Sequence, residues 1–465
     1  MGRSAQVFTA QWIDGDWRPS DAVDGIDVLD PSDESLLAVV PAGTLDDARR
    51  AAQAARAAQP RWAATPVKDR IAFVERLARR LSERAGELAE VIVSEVGAPV
   101  TVARQAQVGL AVAMTESFAE LASGFAFERR AGNSLVLREP AGVVAAITPW
   151  NVPLLLTLQK VVPALLAGCA VVHKPSELTP LNAYLLAEIT AECGLPPGVF
   201  NVVVGTGEGA GADLVRSPDV DMVSLTGSVR AGRQVASMAA RRVKRVHLEL
   251  GGKNAGILLD DADLRLGVAA TVDQMCFNTG QACLQWSRLL VPADRHDEAA
   301  ELAAGLAGRY RVGDPRDPDT DLGPLISDQA RERVRGYIAS GVAEGATLLA
   351  GGRGGAGGTR ARLLRASDRV LRRAGDHDHR QGGDLRPGAV DHAVPGRGRG
   401  DRDRQQHPVR PARSRLVGRH RQGTARRHAD AGRPGRHQRR AVQHPGALRR
   451  GQAVGHRPRM RRGRA

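Results

Sequence analysis

The residues of this 465-residue chain with the most distinctive chemistry fall in five short segments. Thr-Pro-Trp-Asn at 148–151 ends on a side-chain amide, Asn151, and His-Lys-Pro-Ser-Glu at 173–177 sets Lys174 three residues before Glu177. Thr-Gly-Ser-Val-Arg-Ala-Gly at 226–232 is built of small residues, Leu-Glu-Leu-Gly-Gly-Lys at 248–253 puts Glu249 ahead of two glycines, and Phe-Asn-Thr-Gly-Gln-Ala-Cys at 277–283 ends on Cys283. A thiol can form a covalent intermediate, and an amide can donate to a developing oxyanion. A carboxylate in a partly apolar site can hold a raised pKa and deprotonate water. Free N–H groups at a strand-to-helix turn such as Gly227-Ser228 attract a pyrophosphate, and Gly232 permits close packing of the helix that follows.

Each residue also has a plainer reading. An isolated cysteine is more often an inert core residue, which is the reading of Cys169 and Cys193. Asn151 suits a turn before Pro153, Glu249 between two leucines suits an ion-paired strand, and Lys174 suits a solvated surface. Gly-Ser-Val-Arg-Ala-Gly is not a G-x-G-x-x-G fingerprint; Gly-Thr-Gly-Glu-Gly-Ala-Gly from Gly205 is nearer to one and reads equally as a flexible turn. The four cysteines are too few for a disulfide framework and lack the paired spacing of a zinc site, so no metal is expected.

The elements that must position these segments follow from periodicity. Continuous apolar runs begin at Gly142 (GVVAAI), Cys169 (CAVVH), Val199 (VFNVVV), Asp221 (DMVSL) and Val246 (VHLEL), alternating with helical stretches. Strands without polar alternation are buried on both faces, so an α/β fold with a parallel sheet of βαβ units is predicted. Ligands of such sheets bind beyond the carboxyl ends of the strands, where four of the five segments sit. Upstream, Asp14-Gly15 predicts a turn, Leu36–Val40 a strand, and Thr44 the cap of an alanine-rich helix stopping at Pro60. From Asp69 a long helix carries Ile71, Val74, Leu77, Leu81, Leu88 and Ile92 at helical spacing until Gly97 and Pro99. Past Asn254, a helix over 264–277, a strand from Ser287 and a helix from Asp297 continue the α/β character to about Tyr337.

Taken in order, TPWNVPLLLTLQKVVPALLAGCAVVHKPSELTP (148–180), LTGSVRAG, LELGGKNA and NTGQACLQWSR resemble the signature blocks of the NAD(P)-dependent aldehyde dehydrogenase superfamily, over about residues 5–358. The resemblance implies oxidation of an aldehyde to a carboxylic acid, with NAD favoured over NADP. An aldehyde carbon has no hydride to release until it is tetrahedral, and attack by Cys283 gives a hemithioacetal alkoxide that can expel one. Asn151 and the Cys283 N–H are implied as the oxyanion hole, a contribution of about 3–4 kcal/mol. Glu249, 34 residues ahead of Cys283, is implied as the base that activates water against the thioester. Lys174 and Glu177 are implied at the adenosine ribose, where a carboxylate repels a 2′-phosphate, and Gly227, Ser228 and Gly232 at the pyrophosphate. Thr148, Trp150 and Leu250 complete the implied cofactor contacts, although Trp150 taken alone suits packing.

The fold implied has three parts. A Rossmann-type dinucleotide domain spans 1–118 and 139–250, an oligomerisation hairpin spans 119–138, and a second α/β catalytic domain starts at 251 and is cut short near 360. The partners implied are a small-molecule aldehyde and, in the intact family form, further copies in a homodimer or homotetramer; no nucleic acid is expected. No run of 18 apolar residues occurs and the opening MGRSAQVFTAQW lacks a signal-peptide layout, so no membrane and a cytoplasmic location are expected.

Charge divides the chain near residue 350. The net is +15, yet the last 115 residues hold 31 Arg and 8 Asp with no Lys or Glu, a local +23 against −8 for the first 350. That stretch has no Phe, Tyr, Trp, Ile, Asn or Cys with which to build a core. Arg, Gly, Pro, His and Ala dominate when GC-rich DNA is read out of frame. Back-translated with GC-rich codons, His377–Gly388 (HDHRQGGDLRPG) reads MTIAREEIFGP one nucleotide later. The same shift turns Arg362–Val370, Arg402–Leu416 and Val442–His456 into stretches like FFVRPTVFSG, AIAIANNTPYGL and FNIQAPFGGGKQSGI. These are the blocks with which the family continues, in order and at one shift. They predict a frame change near Gly358–Arg362 and a disordered Arg-rich tail over 361–465.

Two rival readings remain open to test. One is a catalytically impaired remnant that retains nucleotide binding. The other is a nucleic-acid-binding protein using the tail as an arm that releases counterions, to which the missing lysines and aromatics are poorly suited. Nucleotide sequence across codons 350–370 is expected to show a one-base displacement; an intact frame whose Arg-rich translation is shared by related strains overturns the frame change.

Overall fold

The apolar runs between 142 and 250 supply the five parallel strands of a seven-stranded sheet in the structure, a computed structural model that describes residues 5–351 and the backbone of Val370–Arg372 and Ala389–Val394. Its strands are β1 (Ala10–Ile13), β2 (Asp16–Pro19), β3 (Val143–Ile147), β4 (Ala170–Lys174), β5 (Phe200–Val202), β6 (Met222–Gly227) and β7 (Arg245–Leu250). Their spatial order is β7-β6-β3-β4-β5-β1-β2. Strands β3 to β7 run parallel, and β1 and β2 extend the sheet as an antiparallel hairpin. Asp14 (φ 58°) and Gly15 (φ 75°) close that hairpin with the left-handed pair that a two-residue turn requires. Ile147 lies opposite both Lys174 and Leu225, and Gly227 opposite Leu250, so the parallel strands end along one edge.

Strands β3 and β4 are buried throughout, as their unbroken apolar sequence predicts. The same expectation fails for β7. There Val246, Leu248 and Leu250 are half-buried while His247 and Glu249 are 53% and 62% exposed. The cause is position, because among the described residues β7 is the outer strand and pairs with β6 alone.

The helices around the sheet are α1 (Leu45–Ala63), α2 (Val67–Glu83), α3 (Ala85–Val96), α4 (Leu110–Ser123), α5 (Pro153–Leu166), α6 (Leu181–Glu192) and α7 (Val229–Ala240). Helices α2 to α6 bury Phe73, Leu77, Leu88, Leu158 and Leu186 together with Ala146 and Val171. Helix α1 lays Ala48, Ala51, Ala52 and Ala55, small enough for close approach, into a second cluster with Val143, Ala145 and Val172. Thr44 caps α1 in a capping box: the Asp47 N–H donates to Thr44 Oγ1 at 3.1 Å and the Thr44 N–H to Asp47 Oδ2 at 2.9 Å.

Three boundaries differ from the sequence expectation. Helix α1 runs through Pro60 to Ala63, because the buried Trp62 donates its indole N–H to the Leu165 carbonyl at 3.0 Å and anchors the last turn. The helix expected from Asp69 past Ile92 is two helices, α2 and α3, meeting at Arg84, which is paired there with Glu87 and Glu192. Residues 119–123 complete α4, and the hairpin strands occupy Glu128–Ala131 and Ser134–Leu137.

Beyond β7, Ala255–Ile257 (β8), Arg288–Pro292 (β9) and Ala389–Val394 (β10) form a parallel three-stranded sheet. Helices α8 (Leu264–Cys276) and α9 (His296–Ala307) share its core through Val268, Val272, Leu289 and Ala300. Strand β10, and Val370–Arg372 paired with Thr347–Ala350, put two strands inside the stretch expected to be disordered. Strand pairing uses backbone N–H and C=O groups, which nearly any sequence supplies. The rest of the tail lies outside the described residues. Every described residue belongs to one compact unit, Met1–Gly418. Among the described residues no helix is long and apolar enough to cross a membrane.

Arg70 ties two helix ends together. Its buried guanidinium donates to the carbonyls of Leu166 (2.9 Å), Ala63 (3.1 Å) and Thr65 (2.7 Å). Arg70→Met strands three carbonyls and is expected to lower the unfolding free energy by about 3 kcal/mol, against about 1 kcal/mol for Thr44→Ala, both read by urea unfolding.

Candidate active site

Cys283 follows α8 on a turn that only tertiary contacts can hold. Asn278, Thr279 and Gly280 have successive φ values of 52°, 58° and 75°. For the two non-glycine residues the left-handed conformation costs about 1–2 kcal/mol each. Hydrogen bonds from distant segments offset that cost. Gln107 Nε2 donates to Asn278 Oδ1 at 3.0 Å, Asn278 Nδ2 to the Asn151 carbonyl at 3.0 Å, and the Gly323 N–H to Thr279 Oγ1 at 2.9 Å. The Ile326 N–H donates to Gln281 Oε1 at 3.0 Å, and Asn254 Nδ2 to the Cys283 carbonyl at 3.3 Å. Gln107 belongs to a π-helical segment, Ala103–Gly109, a distortion frequent at functional sites.

Asn151 joins the same loop. Its Nδ2 donates to the Gln281 carbonyl at 2.9 Å, two residues before the thiol. Because the amide nitrogen carries two protons, a second donor remains. Cys283 itself is half-buried. Burial pushes its thiol up, donation from its own N–H and that of Leu284 pulls it down, and the negative charge of Glu249 pushes it up again. Glu249 is thus within electrostatic reach of the sulfur, while its exposed carboxylate stands 3.3 Å from His247 Nε2. The partly apolar surroundings expected of Glu249 are not what the described residues give it, since β7 is an edge strand. Cys169 and Cys193 are buried, and burial pushes both thiols up.

A second cluster occupies the carboxyl ends of β4, β6 and β7. Lys174 is buried rather than solvated, and its Nζ meets Glu177 Oε2 at 3.1 Å with Glu177 35% exposed. Burial pushes the Lys174 ammonium down, and the Glu177 charge opposes this. Ser228 caps α7, its Oγ accepting from the Ala231 N–H at 3.1 Å. A Cβ on Gly227 would meet nothing nearer than 3.6 Å, whereas one on Gly232 would lie 2.7 Å from Leu250 Cδ2. Gly227 therefore leaves room before the first turn of α7, and Gly232 lets that helix close on Leu250. The open turn fits a pyrophosphate, and the Lys174–Glu177 pair offers a donor and an acceptor to a diol. Thr148 is directed elsewhere. Its hydroxyl meets His173 Nε2 at 2.9 Å, with Thr157 Oγ1 3.1 Å from the same nitrogen, and burial with the charges of Lys174 and Lys160 pushes His173 down to about 3. Trp150 is half-buried.

Sequence reading passed over Gln107, Asn278, Gln281, Asn254 and Lys160. Asn278 and Gln281 stood inside a segment already singled out, and Lys160 was visible as a lone charge in the apolar PLLLTLQKVVPALL. Gln107 had no comparable signal, because a π-bulge leaves no periodicity of its own.

Comparison with known proteins points one way. The profile of the Aldehyde dehydrogenase family matches residues 17–364. The 3-succinoylsemialdehyde-pyridine dehydrogenase of a Pseudomonas species is 46% identical over 347 residues, 74% of this chain and 72% of that protein. The geranial dehydrogenase of Castellaniella defragrans is 40% identical over 349 residues, 74% of this chain and 73% of that protein. A mutant of aldehyde dehydrogenase C (AldC) from Pseudomonas syringae, solved with NAD+ and octanal, has a TM-score of 0.81 at 38% identity, covering 84% of this chain and 82% of that one. The NAD+ complex of an aldehyde dehydrogenase from Bacillus cereus has a TM-score of 0.81 at 30% identity, covering 86% and 82%.

Burial and the Glu249 charge both keep the Cys283 thiol protonated at neutral pH. Alkylation of Cys283 by iodoacetamide is expected to be slow at pH 7 and to accelerate only as pH passes the ordinary thiol range. Glu249→Gln removes a negative charge and shifts that rise to lower pH, followed by mass spectrometry of the Cys283 peptide. An unchanged profile would place the carboxylate out of range.

Proposed function

We propose that this chain, which belongs to the aldehyde dehydrogenase family and is an aldehyde dehydrogenase enzyme, oxidises an aldehyde to its carboxylic acid with NAD as hydride acceptor, through a covalent intermediate on Cys283. One observation carries the reading: the Asn151 amide donates to the Gln281 carbonyl, two residues before Cys283, which supports an amide and a thiol acting together.

Cys283 loses its proton to solvent, the minor thiolate form adds to the aldehyde carbon, and the resulting hemithioacetal oxygen is held by the Cys283 N–H and the free N–H of the Asn151 amide. NAD, when bound, would supply the acceptor for the hydride that this carbon expels. Water deprotonated by Glu249 then hydrolyses the thioester, releasing the acid and restoring the thiol. Gly227, Ser228 and the first turn of α7 would take the pyrophosphate, with Gly232 and Leu250 closing the floor beneath it. Lys174 and Glu177 would hold the adenosine ribose, with Thr148 and Trp150 at the same edge. The Glu177 charge opposes a 2′-phosphate and favours NAD over NADP. The NAD+ complexes among the similar structures support the cofactor.

Residues 1–118 and 139–250 are assigned to cofactor binding and 251–360 to catalysis. Leu135 and Leu137 of the hairpin are 56% and 54% exposed, which supports pairing with another copy in a dimer or tetramer. A cytoplasmic location completes the reading. The family match ends at residue 364, which supports a frame change just before it.

The test is NADH formation at 340 nm from octanal and NAD, with the full-length chain beside a frame-restored version. Turnover is expected in the restored protein, falling by a factor on the order of 10³ or more in Cys283→Ala. Glu177→Gln is expected to gain NADP use. A full-length chain that binds NADH by fluorescence titration without turnover, beside an active restored protein, would instead support the impaired remnant.

A further inference from the structure

We propose that His247 is a positioning residue for Glu249, fixed in a single tautomer by a train of donors that begins at the buried Lys160. This rests on the reading of Glu249 as the base that activates water. Ser224 on β6 lies opposite His247 on β7, and Thr226 opposite Glu249. Alternation along β7 puts residues 247 and 249 on one face. Lys160, from α5, is 7% exposed, and its Nζ donates to Ser224 Oγ at 3.1 Å. Ser224 Oγ stands 3.3 Å from His247 Nδ1, and His247 Nε2 stands 3.3 Å from Glu249 Oε1.

The direction of each bond follows from what each group can do. An ammonium only donates, so the Ser224 oxygen accepts and its single proton is left for His247 Nδ1. A neutral imidazole whose Nδ1 accepts carries its proton on Nε2, the nitrogen that stands 3.3 Å from Glu249 Oε1. Both hydrogen bonds, Lys160 to Ser224 and Ser224 to His247, therefore run towards the imidazole that stands beside Glu249. A glutamate exposed on an edge strand would otherwise spread over several rotamers. An Nε2–H beside Oε1 biases the carboxylate towards one rotamer and leaves Oε2 for water. Burial pushes Lys160 down to about 8 while the Glu249 charge opposes it, so the two ends of the train sense each other. The imidazole keeps its Nε2 proton throughout, and the proton from water stays on Glu249 until product leaves.

The test uses the full-length chain and p-nitrophenyl acetate, whose initial burst of nitrophenolate reports acylation of Cys283 and whose steady release reports hydrolysis of the acyl-enzyme. His247→Ala is expected to keep the burst and slow the steady release by about 10- to 100-fold. His247→Gln, whose amide can donate to Glu249 and accept from Ser224, is expected to recover most of that loss. In a Glu249→Gln background, His247→Ala is expected to add nothing. Histidine-labelled ¹⁵N spectra need no turnover: His247, assigned by its disappearance in His247→Gln, is expected to show the Nε2-protonated pattern and to lose it in Ser224→Ala. A Nδ1-protonated pattern, or a His247→Ala variant that deacylates normally while Glu249→Gln is slow, overturns the proposal. Normal deacylation in Glu249→Gln would instead remove Glu249 as the base.

Discussion

Three consecutive left-handed residues, Asn278, Thr279 and Gly280, set the condition on which the candidate active site depends. Without them the chain leaving α8 would not bring Cys283 back towards the edge of the large sheet. Local sequence does not stabilise such a turn, because two of the three residues carry side chains that disfavour it. Asn278 resolves the conflict by acting as a hub, accepting from Gln107 and donating to the Asn151 carbonyl. The contacts that hold the thiol loop therefore also fix the π-helical segment before α4 and the turn after β3. Gly323 and Ile326 complete the clamp from the far side.

Polarity is distributed unequally across the large sheet. Lys174, with Glu177 beside it and the start of α7 near by, forms an open corner suited to a phosphate and a diol. His173, Thr148, Thr157, Lys160 and Ser224 form a buried polar group among large apolar side chains. Burying ionisable groups is costly unless they are paired or neutral, and both solutions are used. Lys174 takes a carboxylate partner, whereas His173 gives up its charge and shares one nitrogen with two hydroxyls. Lys160 donates a hydrogen bond to Ser224, which links a lone cation in an apolar helix to the strand beside the exposed edge.

The net charge of +15 is a property of the sum and describes neither part. An acidic body of 350 residues carries all the candidate chemistry, and the Arg-rich remainder has no Cys, Asn, Glu or Lys. Two short strands from that remainder still enter sheets, one beside β9 and one beside Thr347–Ala350. Strand pairing tests side chains far more weakly than core packing does, so a sequence without aromatic residues and poor in long aliphatic ones can extend an existing edge.

The amino-acid sequence by itself determined the strand runs of the parallel sheet, the cap at Thr44, the turn at Asp14-Gly15, and the segments holding Asn151, Lys174, Glu249 and Cys283. All of these are local signals: an apolar period, a side chain that meets its own backbone, a residue type at a strand end. Sequence misjudged the end of α1, where Trp62 finds the Leu165 carbonyl, and the burial of β7, where place in the sheet outweighs composition. Only the tertiary structure decided that Gln107, Asn278 and Gln281 hold the thiol loop, that Lys174 is buried, and that Lys160 reaches Ser224 beside His247. Each of those outcomes depends on segments far apart in the chain meeting within about 3 Å, and no periodicity along one segment encodes the position of another.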